Sequence, residues 1–255
     1  MTQLDGKVAV ITGAGTGLGA ATAVLFAREG AAVTLVGRRV EKLEEVAAGI
    51  ASEGGRALVV PGDVADPETA MRAAEETIGR FGGVDILINN AGLHAAPCPL
   101  HETPLDERHS FLTFDLTGPF LFTKAVLPSM IERRDGAIVN IGSVVALVGF
   151  KGSSAYAAAK GGLVSMTRTT AVDYAPYGIR ANYVCPGGME PVEYGNLTDD
   201  QLARLHEAVS LSGGPLLSNL ANVHDVAQFL LVLVGPTGKA LTGAVVSFDG
   251  GFTAK

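Results

Sequence analysis

The sequence predicts a doubly wound α/β fold built on a parallel sheet of seven strands. Short apolar, β-branched segments alternate with segments of helical periodicity along almost the whole chain, and this alternation is typical of βαβ units. The apolar segments do not alternate with polar residues, which indicates strands buried on both faces. No Ser/Pro-rich linker and no repeat interrupts the 255 residues, so we expect a single domain over residues 1–255.

Seven strands, six helices between them and one irregular segment are predicted from this pattern. The strands fall at residues 8–12, 32–36, 57–60, 86–89, 137–141, 181–185 and 244–248. The helices fall at about residues 18–30, 43–50, 67–81, 105–131, 156–175 and 223–234. Residues 187–221 break the rhythm, are rich in Gly and Pro, and hold a helical stretch near 199–209. Loops at the carboxyl end of a strand often carry binding residues, so we expect residues 187–221 to form a substrate lid.

The composition excludes several classes of protein. A net charge of −7 argues against nucleic-acid binding, which needs clustered positive charge. No apolar run approaches the roughly 18 residues of a membrane span, and the N-terminus lacks the basic start and apolar core of a signal peptide. The two cysteines, Cys98 and Cys185, and the five histidines show no disulfide or metal-ligand spacing. We therefore expect a cytoplasmic protein that acts on a small molecule and holds no metal.

A glycine-rich turn follows the first strand and opens the first helix. The free N–H groups and partial positive charge of a helix N-terminus bind a pyrophosphate, and glycines let the backbone approach it. Many glycine-rich turns bind nothing, but here the strand, the turn and the helix have the order and length of a dinucleotide-binding unit. The predicted contact residues are Gly13, Gly15, Thr16, Gly17, Leu18 and Gly19.

The end of the second strand indicates which dinucleotide is bound. An acidic residue at this position binds the adenosine ribose hydroxyls in proteins that use NAD. Here Gly37 takes that place, and Arg38 and Arg39 follow it. A guanidinium can bind a 2′-phosphate through two parallel hydrogen bonds, which favours NADP(H) and keeps NAD(H) as the alternative. A solvated turn without a ligand is the other interpretation of the two arginines.

Polar residues also follow the third and fourth strands. Asp63 and Val64 come after the third strand, where a carboxylate could accept a hydrogen bond from an adenine amino group. Asn90, Ala91 and Gly92 come after the fourth strand, where the sheet reverses direction and ligands bind in open α/β folds. Asparagines here could tie neighbouring strands together. Both segments are also compatible with ordinary turns.

Tyr156 and Lys160 stand four residues apart, with Ser143 thirteen residues before the tyrosine. Positions i and i+4 lie on one face of a helix. An unperturbed tyrosine titrates near pH ~10, and a neighbouring cation lowers that pKa because it favours the phenolate. The pair therefore predicts an acid–base group for an alcohol or carbonyl oxygen. Such a pair alone is also common on exposed helices.

These motifs, in this order, resemble the short-chain dehydrogenase/reductase family in its single-domain form, and the resemblance covers almost the whole chain. It is carried by residues 12–19, 89–92 and 186–187 together with Asp63, Ser143, Tyr156 and Lys160. The resemblance implies a Rossmann-type sheet and a nicotinamide cofactor. It also implies an oxidoreductase that interconverts a secondary alcohol and a ketone by hydride transfer.

The resemblance further implies roles for individual residues. Tyr156 would donate or accept the substrate proton, and Ser143 would hydrogen-bond the substrate oxygen. Lys160 would hold the nicotinamide ribose and lower the pKa of Tyr156. The cofactor would also be bordered by Pro186, Gly187 and Met189. A homo-oligomer, either a dimer or a tetramer, is implied as well; the alternative function is a non-redox dinucleotide-binding protein, either lyase-like or an NADP sensor.

Two positions depart from the family pattern. Asp115 stands where the family usually has an asparagine that supports a proton-relaying water near the lysine. An ionised carboxylate only accepts hydrogen bonds, and near Lys160 it would stabilise the ammonium and weaken its effect on Tyr156. We therefore expect Asp115 to belong to a working relay with altered pH dependence. Pro191 stands where the family often has a threonine that bonds the cofactor, and proline has no donor.

The substrate side is predicted by position alone. The irregular segments 93–103 and 187–221 border the expected pocket. The candidate substrate-contacting residues are His94, Ser143, Tyr156, Gly188, Met189, Tyr194 and His206. Ordinary lid packing is an equal alternative for the apolar members, and surface or capping positions are the alternative for the histidines.

Overall fold

The computed structural model describes residues 2–93, 96–190, 197–217 and 221–254. Its main element is a seven-stranded sheet in which every strand pairs in parallel with its neighbours. These strands are β1 (Val8–Thr12), β2 (Ala32–Gly37), β3 (Arg56–Pro61), β4 (Ile86–Asn89), β5 (Gly136–Ile141), β6 (Ile179–Pro186) and β9 (Val245–Phe248). Their spatial order is β3-β2-β1-β4-β5-β6-β9. The predicted doubly wound sheet is confirmed, with each strand within two residues of its expected position.

Helices cover both faces of this sheet. They are α1 (Gly17–Arg28), α2 (Val40–Ser52), α3 (Pro67–Phe81), α4 (Leu105–Leu112), α5 (Gly118–Arg133), α6 (Ser154–Tyr174), α7 (Asp199–Leu211) and α8 (Val223–Val234). Ala9 and Ile11 of β1 pack into a core with α1, α2 and α8, whereas Val10 packs into a second core with α3 and α5. Burial of alternate residues on opposite faces explains why the strands are continuously apolar. None of the described helices is long and apolar enough to cross a membrane.

The single helix expected over residues 105–131 is instead interrupted. α4 ends at Leu112, a π-helical turn covers Thr113–Thr117, and α5 begins at Gly118. Pro119 has no N–H for the carbonyl of Asp115, and its ring would clash with that carbonyl in a regular α-helix. The wider turn relieves this conflict, and turns of this kind occur often at functional sites. It buries the side chain of Asp115 completely.

Asparagine side chains hold the carboxyl ends of the central strands together. Asn89 Nδ2 at the end of β4 donates to Asn140 Oδ1 of β5 (2.8 Å). Asn140 Nδ2 in turn donates to Thr167 Oγ1 of α6 (2.8 Å). The chain from β4 through β5 to α6 therefore fixes the helix that carries Tyr156 and Lys160 against the sheet edge. These two side-chain hydrogen bonds are buried, where they are stronger than at the surface.

The ends of the segment 187–221 are joined by a small sheet that the sequence pattern did not predict. β7 (Met189–Glu190) pairs in parallel with β8 (Ala221–Asn222). Two-residue strands are too short for a hydrophobic period to be recognised. Between them α7 begins with a capping box, in which Thr198 and Gln201 satisfy each other's backbone N–H groups. The helix expected near residues 199–209 is thus present.

Asp85, just before β4, is a buried carboxylate on which several elements converge. It accepts hydrogen bonds from the Val8 backbone N–H (2.9 Å) and from Arg133 (3.1 Å), and Lys7 Nζ lies 3.7 Å away. We expect Asp85→Ala to lower the free energy of unfolding by about 2–3 kcal/mol, because a buried N–H loses its acceptor. Urea unfolding measures this loss.

Asp135→Ala is the matched control for that substitution. Asp135 also pairs with Lys7 (2.8 Å), but its side chain is 60% exposed. Exposed ion pairs contribute only about 0–1 kcal/mol, so this variant should keep nearly the native unfolding free energy. Equal losses in the two variants would contradict the assigned role of the buried carboxylate.

Candidate active site

The predicted dinucleotide turn lies at the carboxyl edge of the sheet, where β1 and β4 are neighbours. Thr12 Oγ1 accepts hydrogen bonds from the N–H groups of Asn90 and Ala91 (both 3.0 Å). Asn90 Nδ2 donates to the Thr12 carbonyl (2.9 Å). The loop after β4 is therefore tied to the turn after β1, and both border the crevice where the strand order reverses.

Two glycines allow the backbone segments at this crevice to pack closely. Gly13 has a positive φ of 65°, and a Cβ there would lie 2.8 Å from Asn90 Nδ2. A Cβ at Gly19 would overlap the Gly13 carbonyl. These positions admit only glycine. The turn over residues 13–16, which includes Gly15, leads directly into α1, whose N-cap is Thr16 and whose first residues are Gly17 and Leu18. An exposed helix N-terminus beneath a bare backbone turn suits a pyrophosphate, so the residues present fit a dinucleotide.

The arginines after β2 lie beside the glycine-rich turn. Arg38 is exposed, and its guanidinium carbon lies 5.6 Å from the centroid of the Phe114 ring, a cation–π distance. Arg39 donates to Thr16 Oγ1 of the glycine-rich turn (3.0 Å). A Cβ at Gly37 would be in ordinary contact with the Leu43 side chain, 3.5 Å from its Cδ2. Phe114, in the π-helical turn, was not singled out from the sequence, because an aromatic within an apolar helical pattern is normally core.

Asp63 and Val64 follow β3 on the same side. Asp63 Oδ1 accepts from the Ala65 backbone N–H (2.9 Å), which is the turn interaction that the sequence also allowed. Val64 is buried and packs against Gly118, where an added Cβ would lie 3.2 Å from it. The two residues thus form a local turn at the edge of the crevice.

Tyr156, Lys160 and Ser143 come together at the centre of the edge. Lys160 Nζ lies 5.7 Å from the centroid of the Tyr156 ring. Burial is the largest influence on the pKa of Tyr156 and raises it. The Lys160 charge lowers this pKa, the Asp115 charge raises it, and a hydrogen bond with Ser143 lowers it. The net shift is upward. The lowering expected from Lys160 is present but is outweighed. Without a bound ligand the phenol therefore stays protonated through neutral pH.

Asp115 and Lys160 form a buried ion pair. Asp115 Oδ1 lies 3.0 Å from Lys160 Nζ, and their side chains are 0% and 5% exposed. The ammonium also donates to the Ile141 carbonyl (3.0 Å), and Asp115 Oδ1 accepts from the Leu93 N–H (3.3 Å). Burial alone would lower the pKa of Lys160, but the attraction of Asp115, with smaller contributions from nearby tyrosines, raises it overall. The ion pair with Asp115 therefore favours the charged form of Lys160.

Gly92 allows the chain to pass directly over this ion pair. A Cβ at this position would lie 2.6 Å from Asp115 Oδ1 and 3.4 Å from Lys160 Nζ. The glycine is therefore needed where the loop after β4 meets the π-helical turn. The ion pair lies at the junction of the dinucleotide crevice and the acid–base residues.

Some of the candidate substrate-contacting residues lie within the described part of the chain and others do not. His94, Tyr194 and Pro191 lie outside the described residues. His206 is on the exposed face of α7. Gly188 and Met189 lie at the base of the segment 187–221, where the Gly188 carbonyl accepts from the Ala221 N–H (3.0 Å). Pro186 ends β6, and the Gly187 N–H donates to the Phe248 carbonyl (3.0 Å).

Contacts farther along the segment 187–221 also join it to the rest of the protein. Lys151, in the loop before α6, pairs with Glu207 of α7 (2.7 Å). The Leu217 N–H donates to the Gly250 carbonyl after β9 (2.9 Å). Beside the first contact is a cavity of about 410 Å³ lined mainly by apolar residues of the loop 145–150 and by the start of α6. Neither Ser143 nor Tyr156 lines it.

Two aromatic residues of the site were missed by sequence reasoning. The Phe111 ring of α4 lies 5.4 Å from the Tyr156 ring and tilts 56° from it. Tyr183 of β6 is completely buried and contacts both Ser143 and Lys160 through its hydroxyl. Both residues sit in apolar segments, where the pattern indicates core packing only. Within the described ranges, no group of three or more His, Cys, Asp or Glu side chains could hold a metal ion.

Comparison with known proteins places the chain in one family. A family model for short chain dehydrogenases matches residues 7–202. A cis-4-hydroxycyclohexanecarboxylate dehydrogenase from Sinomonas cyclohexanicum is 37% identical over 248 residues, covering 97% of each chain. The chain belongs to the short-chain dehydrogenase/reductase family, as its motifs indicated, and is an oxidoreductase of that family.

Solved structures of relatives share the whole fold. A blue fluorescent protein from a metagenomic library, in complex with NADPH, has a TM-score of 0.87 at 34% identity, covering 98% of this chain and 99% of that one. An NAD+-bound xylitol dehydrogenase has a TM-score of 0.88 at 30% identity, covering 98% and 100%. Relatives of this fold therefore bind either dinucleotide.

Proposed function

We propose that the protein interconverts a secondary alcohol and a ketone, with a nicotinamide dinucleotide as hydride carrier and Tyr156 as acid–base group. The observation that carries this is the convergence of Tyr156, Lys160 and Ser143 beside a crevice fitted to a dinucleotide. The similarity to a dehydrogenase of a hydroxylated carboxylic acid supports an alcohol substrate. When bound, the dinucleotide supplies or accepts the hydride.

Tyr156 handles the proton in this proposal. Its raised pKa keeps the phenol protonated through neutral pH, so it can donate to the developing alkoxide when a ketone is reduced. In the reverse direction the phenolate must accept the alcohol proton, so oxidation should accelerate as the pH rises. Ser143 hydrogen-bonds the substrate oxygen and holds it against the phenol.

Lys160 and Asp115 position charge beneath Tyr156. The ammonium favours the phenolate, and in the complex it would hold the nicotinamide ribose. Asp115 fixes the ammonium at 3.0 Å and weakens its effect on the phenol. The dinucleotide itself would be held by the turn from Gly13 to Gly19, by the edges of Asp63–Val64 and Asn90–Gly92, and by Pro186, Gly187 and Met189.

Turnover with a panel of carbonyl compounds tests this function. Purified protein, reduced nicotinamide cofactor and ketones of varied shape, including cyclic ketones that carry a carboxylate, should show oxidation of the cofactor by its absorbance. Corresponding alcohols with oxidised cofactor test the reverse direction. No turnover with any carbonyl compound or alcohol would contradict the proposal.

NADP(H) is the proposed cofactor. Gly37 has no carboxylate that would repel a 2′-phosphate, and Arg38 offers an exposed guanidinium beside the crevice. Gly37→Asp should reverse the preference: a carboxylate repels a 2′-phosphate and accepts hydrogen bonds from free ribose hydroxyls. We expect the ratio of kcat/KM for NADPH over NADH to fall by about 100-fold, equivalent to about 2.7 kcal/mol.

Arg38→Leu separates the attractive part of this selectivity from the repulsive part. It should raise the KM for NADPH and leave the KM for NADH nearly unchanged, since only a 2′-phosphate binds the guanidinium. Arg56→Leu, at the start of β3, removes the same charge away from the crevice and is the matched control. It should leave the KM values for NADPH and NADH unchanged. Equal effects of Arg38→Leu on the two cofactors would contradict a 2′-phosphate site.

We further propose that residues 1–255 form one domain in which residues 187–221 act as the substrate lid. The pairing of β7 with β8 supports a lid that is held at its base, and the ion pair between Lys151 and Glu207 supports one that is also held at α7. His94, Gly188, Tyr194 and His206 remain candidates for substrate contact. A homo-oligomer in the cytoplasm is also proposed; both cysteines are free, as in reducing compartments.

A further inference from the structure

Tyr183 links the two chain segments that carry the proposed reactive groups. It lies on β6 and is completely buried. Its hydroxyl accepts a hydrogen bond from the Ser143 backbone N–H (3.2 Å) and donates one to the Lys160 carbonyl (3.1 Å). One oxygen atom therefore connects the backbone just after β5 to the backbone of α6 at Lys160.

The packing around the ring leaves this hydroxyl little freedom. Tyr183 packs with Leu163 and Val164 of α6 and with Cys185 of its own strand. On its other side the ring occupies the space that a Cβ at Gly142 would need. Gly142 is held in place by its own N–H, which donates to the Val184 carbonyl (2.7 Å). The glycine and the tyrosine are thus complementary, and the hydroxyl is confined between Ser143 and Lys160.

We propose that Tyr183 is a positioning residue that sets the distance between Ser143 and the Tyr156–Lys160 pair. Its hydroxyl touches neither substrate nor cofactor in this assignment. It acts by fixing the backbone of Ser143 relative to α6, so that the serine and tyrosine hydroxyls converge on one substrate oxygen. Misplacing reacting groups by about 1 Å can reduce turnover about 100-fold. This inference rests on the proposed function.

Tyr183→Phe tests the bridge, because it keeps the ring and removes only the hydroxyl. In the cofactor-free protein, amide hydrogen exchange at Ser143 should become about tenfold faster, the order expected for one lost hydrogen bond. The Gly142 amide is an internal reference, since its bond to Val184 does not involve the Tyr183 side chain. Tyr177→Phe, in the exposed turn after α6, is the matched control and should change neither amide.

Kinetics test the consequence for the reaction. In Tyr183→Phe, kcat per folded molecule should fall about ten- to 100-fold, with the KM for cofactor unchanged, and the melting temperature should fall only by the few degrees expected for one lost hydrogen bond. A purely structural role would lower the melting temperature and leave kcat per folded molecule unchanged. Native exchange at Ser143, or faster exchange with native kcat, would overturn the inference. If the unsubstituted protein shows no turnover, the proposed function is refuted. Hydrogen exchange at Ser143 would still decide whether the Tyr183 hydroxyl holds the Ser143 backbone.

Discussion

Replacing Tyr156 with Phe should reduce turnover by about 10²–10⁴-fold, the range contributed by a positioned acid–base group. The substitution removes the phenol hydroxyl and keeps the ring that packs against Phe111. Because the ion pair between Asp115 and Lys160 does not depend on the hydroxyl, the fold and the dinucleotide crevice should remain intact. Steady-state rates in both directions, measured per mole of folded protein, check this result.

Cofactor affinity distinguishes loss of chemistry from loss of structure in this variant. Titration with NADPH should give a dissociation constant within about threefold of the native value, equivalent to about 0.7 kcal/mol. Tyr174→Phe, at the other end of α6, provides a matched removal of a tyrosine hydroxyl and should retain native activity. Turnover retained in Tyr156→Phe would remove this residue from the mechanism.

Replacing Asp115 with Asn should shift the pH–rate profile toward lower pH. The Asp115 carboxylate raises the pKa of Tyr156 and that of Lys160, so removing its charge lowers both. Alcohol oxidation needs the phenolate, and its rate should therefore rise at lower pH than in the native protein. Ketone reduction needs the phenol, and its decline at high pH should begin earlier. Rates measured across the pH range in both directions check the sign.

The same substitution should also lower stability, because Lys160 would keep a buried charge without its counter-ion. Breaking a buried pair from one side costs about 3–5 kcal/mol, which chemical unfolding can measure. Asp173→Asn, on the exposed face of α6, removes the same charge without touching the pair and should leave rate and stability native. An unchanged pH profile in Asp115→Asn would refute the proposed coupling.

The strands could be predicted from the sequence because their burial on both faces leaves a direct trace. Residues such as Ala9, Val10 and Ile11 are all apolar because each one faces a core. The helix over residues 105–131 was misjudged for the opposite reason. Hydrophobic periodicity does not reveal one wide turn, and only the conflict between Pro119 and the Asp115 carbonyl explains it.

The sequence by itself determined the family, the dinucleotide turn and the proposed acid–base residues, because each is a local arrangement of residue types at a set spacing. Only the tertiary structure decided how those residues influence one another. The i+4 spacing placed Lys160 near Tyr156, yet the direction of the Tyr156 pKa depends on burial and on Asp115, 45 positions before Lys160. The Tyr183 bridge is likewise a contact between β6, β5 and α6. Charge and hydrogen bonding act through space, so elements far apart in the chain set the chemistry of the site.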